Sequence, residues 1–101
     1  MANRYDYTVV VQGNDWDEDN GWHDEHYHVC DIPMDGEKEA IEYLHSITKE
    51  QALEWERQSK CNGLDIVVFA DEINEYGVPT YEVSIVAECE WIGDKLNGIW
   101  V

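Results

Sequence analysis

The chain has 101 residues, 23 of them Asp or Glu and six Lys or Arg, for a formal net charge of −17 and a pI near 4.2. That length fits one domain, and 44% hydrophobic residues, with five Trp and six Tyr, exceed what an acidic disordered segment carries. Charge of this sign and size speaks against direct binding to nucleic acid or to an anionic membrane surface, since both need a basic footprint.

In chain order, Tyr5 to Gln12 alternates apolar and polar residues and reads as a strand. Gly13 to Gly21 reads as an acidic loop closed by the turn pair Asn20-Gly21, and Trp22 to Ile32 as a second strand ended by Pro33. Asp35 is placed to cap a helix from Glu37 to Ile47, whose apolar stripe is Ala40, Ile41, Leu44 and Ile47. Thr48-Lys49-Glu50-Gln51 matches a capping box, so the helix should kink there or restart as a second one from Lys49 to about Ser59, with one continuous helix as the alternative.

Asn62-Gly63 then leads into Leu64 to Ala70, apolar enough for a central strand. Asn74 to Pro79 is turn-like. Thr80 to Trp91 alternates, which would send Tyr81, Val83, Ile85, Ala87, Cys89 and Trp91 inward and Glu82, Ser84, Val86, Glu88 and Glu90 outward. Ile99-Trp100-Val101 would be an edge strand. The expected fold is α+β, a four- to five-stranded, mainly antiparallel sheet in ββαββ(β) order with a kinked or split helix on one face.

The charge is unevenly spread along these elements. Two stretches without Lys or Arg, Tyr5 to Glu37 and Cys61 to Asp94, hold ten and eight acids. The helical middle, Lys38 to Lys60, sets five acids against four basic residues and is close to neutral. Glu88 and Glu90, with Glu82 further along, should form a row of carboxylates on one strand face. Asp15, Trp16, Asp17, Glu18 and Asp19 should crowd one loop, and Glu75 and Tyr76 sit at the tip of another turn. Such fixed carboxylates can offer Lys and Arg what phosphates offer them, and Trp16 and Tyr76 either pack back on the core or its rim, the more common role, or suit the centre of an interface.

Other chemistries fit less well. On a regular strand His26, His28 and Cys30 would share a face at a spacing that suits zinc, with Cys61 or Cys89 as further ligands. Imidazoles among so many carboxylates also serve as hydrogen-bonding partners. The loop starting at Asp15 superficially matches a calcium loop, but its glycine position holds Asn20 and its bidentate-Glu position holds His26. No phosphate-binding glycine loop, nucleophile elbow or family-specific Cys–His context is present, so an enzyme is not expected. No cofactor is implied.

By size, acidity and absence of catalytic signature the chain resembles the small phage-encoded inhibitors of host defence, the anti-CRISPR and antirestriction proteins, several of which mimic DNA. The resemblance is one of type, so no site residues carry over. It implies a stoichiometric blocker of a basic nucleic-acid-binding protein, such as a CRISPR effector, a restriction enzyme or another nuclease. An immunity protein or antitoxin that plugs a basic nuclease toxin is the alternative, and a metal-binding regulator built on the His-rich strand is the third. Three cysteines with no apolar leader point to reduced thiols in the cytoplasm of a bacterial host. The protein would be a monomer or a homodimer, and a dimer would need an apolar seam between two highly negative bodies.

Overall fold

A computed structural model describes residues 4–17, 19, 21–92 and 95–100, with side chains placed for 4–15, 19 and 27–92. Its elements are β1 (Arg4–Asp17), β2 (Gly21–Met34), α1 (Glu37–Ser46), α2 (Lys49–Ser59), β3 (Gly63–Ile73), β4 (Pro79–Ile92) and β5 (Lys95–Trp100). The strands form one sheet in the order β2-β1-β3-β4-β5, antiparallel throughout. The α+β class stands. The helical segment is two helices, and the chain order is ββααβββ.

Several boundaries move. The expected loop from Gly13 is mostly strand, because β1 keeps its pairing with both β2 and β3 well past Gln12. Pro33 does not end β2, which runs to Met34 at the edge of the sheet, where a missing N–H breaks no ladder on the open side. Asp35 does not cap α1. Gly36 holds the N-cap position without a side-chain bond, and the Glu39 carboxylate reaches back to accept the Asp35 backbone N–H at 2.7 Å. The second helix starts as read. Thr48 is its N-cap and its Oγ1 accepts the Gln51 N–H at 3.2 Å. Lys60, in left-handed conformation at φ 60°, closes α2.

Both helices pack on one face of the sheet. There Val9, Val11, Ala40, Leu44, Ala52, Trp55, Leu64, Ile66, Val68, Ala87, Cys89 and Trp91 make the core. Gly13 lets the end of α2 come down onto β1: a Cβ there would lie 2.3 Å from the Ser59 Cβ and 3.1 Å from the Cys61 sulfur. A 14-residue strand is about 46 Å long, whereas α1 and α2, of 10 and 11 residues, each reach only about 15–17 Å. The helices therefore cover part of the sheet, and the far half of the β3–β4 hairpin stays bare. Tyr81 is 90% exposed, Ile85 63% and Val83 55%, so the expectation that these three point into the core fails: the pairing with β3 turns Val83 and Ile85 to the face that no helix covers. None of the helices among the described residues is long and apolar enough to cross a membrane.

Candidate functional site

The two faces of the sheet are set by the pairing register, and two single-residue irregularities decide what each displays. In β4, Val68 pairs with Ala87 and Phe69 with Ile85, which leaves Val86 as an extra residue. A bulge of this kind inverts the alternation beyond it. Ala87, Cys89 and Trp91 go to the helix side, while Val83 and Ile85 go to the opposite, helix-free face. Glu82 is sent to the helix side with Ser84. The expected row of Glu82, Glu88 and Glu90 is thus broken: Glu88 and Glu90 share the helix-free face, half-buried, and Glu82 does not join them.

The same thing happens in β2. Val11 pairs with Cys30 and Gln12 with His28, so Val29 is the extra residue. Cys30 packs against the core, whereas His28 lies on the helix-free face with its Nε2 2.7 Å from Asp31 Oδ1. His28 and Cys30 therefore diverge, and the His26–His28–Cys30 set does not assemble as read; the His26 side chain lies outside the described residues. Among the described residues no cluster of His, Cys, Asp and Glu could hold a metal ion.

What the helix-free face does assemble is an apolar strip between two acidic ends. Val10, Val67, Phe69, Val83 and Ile85 form the strip, in register as Val10↔Val67, Phe69↔Ile85 and Asp71↔Val83. At one end Asp6 stands directly opposite Asp71, and Asp31 lies across from Val10 on β2, in the same cross-strand row as Val67 and Glu88. At the other end Asp65 stands directly opposite Glu90, beside Glu88 across from Val67. Asp65 and Asp71, six residues apart on β3, place the two ends about 20 Å apart. A shallow depression lined by Thr8, Val10, Asp31, Phe69, Asp71 and Val83 lies in the strip, and a second, lined by Asp6, Asp71, Glu72, Pro79 and Tyr81 among others, adjoins it. Arg4 stands at the margin, opposite Ile73.

Like charges directly opposite on neighbouring strands destabilise a sheet, and this face carries two such pairs. The field of the Asp65–Glu90 pair reaches the other side of the sheet. The Cys89 thiol is pushed up to about 12, first by burial and then by the negative charges of Asp65, Glu90 and Glu88. Two of the cations in the helical segment are engaged locally, Lys38 with Glu42 at 3.9 Å and Arg57 with Glu54.

The remaining expected residues are dispersed. Asp15 is half-buried on β1, and its Oδ1 accepts the Asn62 N–H at 3.3 Å, tying β1 to the start of β3. Trp16 and Asp17 belong to β1, not to a loop, and their side chains lie outside the described residues, as does Glu18 altogether. Asp19 is exposed in the β1–β2 turn. Glu75 and the 82%-exposed Tyr76 sit on the β3–β4 turn, at the far end of the molecule from Glu88 and Glu90. That turn is organised by Asn74, whose Oδ1 accepts the Tyr76 and Val78 N–H groups at 2.9 and 3.1 Å, with Gly77 left-handed at φ 79°. Asp6, Asp31, Asp65, Asp71, Val83 and Ile85 are the site residues that sequence reasoning missed. Each was visible as an acid or a strand hydrophobe, but only the cross-strand register brings them together.

Comparison of the chain with protein-family models, with curated proteins and with solved structures gave no match.

Proposed function

We propose that this chain is a non-catalytic inhibitor that docks its helix-free sheet face on a basic, nucleic-acid-binding protein and occupies ground that nucleic acid would otherwise take. The observation that carries this reading is the presence of two like-charged cross-strand pairs, Asp6↔Asp71 and Asp65↔Glu90, flanking an apolar strip. A sheet gains nothing in stability from such pairs. A partner with Lys and Arg around an apolar patch gains charge-assisted bonds at the acidic ends and apolar burial between them, the usual division between rim and centre of an interface. The target class is a host-defence nuclease such as a CRISPR effector or a restriction enzyme.

The test is retention of host proteins on the immobilised chain at low salt, with stepwise salt elution and competition by duplex DNA. The expected partner is a basic nucleic-acid-binding protein that leaves as salt rises through a few tenths molar, because screening over about 8–10 Å removes the attraction. It should be displaced by DNA and lost when Asp71→Asn and Glu90→Gln are combined. Retention indifferent to salt and to both substitutions would sink the reading. A retained partner encoded beside this chain as a toxin would make the protein an immunity factor.

A further inference from the structure

We propose that the bare stretch of the β4 edge pairs with the same stretch of a second copy of this chain, joining two sheets about a twofold axis. β5 covers β4 only from Glu88, opposite Trp100, to Ile92, opposite Lys95. No strand among the described residues lies against 79–87 on that side. Natural edges are guarded by Lys, Pro, inward-pointing charges or bulges. Here Pro79 and the irregular turn of chain at Thr80 to Glu82, where Tyr81 has φ 66°, guard the beginning and the bulge at Val86 guards the end, so that the unguarded stretch is Val83 to Ile85. From Val83 to Ala87 the sequence is Val-Ser-Ile-Val-Ala, with no charge and no proline, and Val83, Ser84 and Ile85 are all exposed.

Charge selects the occupant. Between Tyr76 and Ala87 the single charged residue is Glu82, in a chain of net charge −17. A basic strand finds little to pair with along this run, whereas two copies can approach one another here with the least repulsion. The segment is also complementary to itself. An antiparallel pairing centred on Ser84 sets Val83 against Ile85 of the copy and Ile85 against its Val83, both on the helix-free face, as an isologous twofold contact requires. Each Glu82 then faces Val86 of the copy, and the two Glu82 residues stand about 14 Å apart. That exceeds the screening length of about 8–10 Å at ordinary salt. This pairing rests on the edge, not on the acidic face, and salt separates the two: docking on a basic partner weakens as salt rises, while self-pairing of like-charged bodies strengthens.

The experiment is sedimentation equilibrium of the purified chain at about 0.05 and about 0.5 M salt, beside the double variant Val83→Glu with Ile85→Glu. Both positions are exposed, so the variant should keep its cooperative unfolding. The expected result is a dimer at high salt that is about tenfold weaker at low salt, and a variant that stays monomeric at both. Amide exchange gives a reading on the unmutated chain, in which protection at 83–87 should grow with protein concentration. A wild-type chain monomeric at both salts up to about millimolar concentration, a dimer that the variant retains, or protection that grows only outside 83–87 would each overturn the proposal.

Discussion

Asp65 on β3 and Glu90 on β4 are direct cross-strand partners, both half-buried on the face of the sheet that no helix covers. Two carboxylates in that relation oppose the folding of the strands that hold them. Replacing one by its uncharged isostere should therefore stabilise the fold while weakening the proposed docking. Glu90→Gln is expected to gain about 0.2–1 kcal/mol, a rise of a few degrees in melting temperature for a domain of this size. Added salt should do the same to the parent and less to the variant. A thermal melt decides it, and a melting temperature that falls would mean Glu90 is held by a native attraction that outweighs its neighbour.

Gly13 presents the opposite case, a residue fixed by packing alone. A Cβ at this position would meet the Ser59 Cβ at 2.3 Å and its Oγ at 2.4 Å, where α2 ends against β1. Gly13→Ala should cost about 1–3 kcal/mol through forced displacement of the helix end. Ser59→Gly in the same chain should recover part of that loss, because it removes the atoms that clash. Denaturant midpoints of the two single variants and the double variant measure the coupling, and strictly additive effects would show that the clash is relieved elsewhere.

Alkaline pH should destabilise the fold through a buried thiol. Cys89 is completely buried, and its thiol is raised from an ordinary value of 9.0 to about 12. Folded, it keeps its proton; unfolded, it releases it above about pH 9. Its contribution is therefore constant below that point and is lost as pH climbs from about 9 toward about 12, by at most about 1.4 kcal/mol per pH unit. Burial raises Tyr43 and Cys30 in the same direction. Stability curves of the parent and Cys89→Ala should run parallel below pH about 9 and converge above it. Curves that stay parallel throughout would show that the thiol ionises as easily in the fold as outside it.

Much of the fold was legible because local chemistry and tertiary packing agree. Thr48 caps α2 through one half of the expected capping box, the bond from the Gln51 N–H to its Oγ1, which is local and needs nothing from the rest of the chain. The apolar run from Leu64 to Ala70 is central, as its composition demanded. The site was less legible. Alternation along Thr80 to Trp91 gave the right faces for Ala87, Cys89 and Trp91 and the wrong ones for Tyr81, Val83 and Ile85. Val86 is one residue too many for the pairing with β3, and nothing in its side chain announces that. Val29 did the same to His28 and Cys30.

The net charge of −17 and its removal from the helical middle are properties of sequence. The elements follow from residue periodicity and from local caps and turns. Which carboxylates stand opposite one another, which hydrophobes lie between them and which edge is left bare are decided by strand register and by the mismatch of helix and strand lengths. Register is a relation between residues distant in the chain, and a single bulged residue reverses it. Sequence sets how acidic this protein is; pairing across the sheet sets where the acids act.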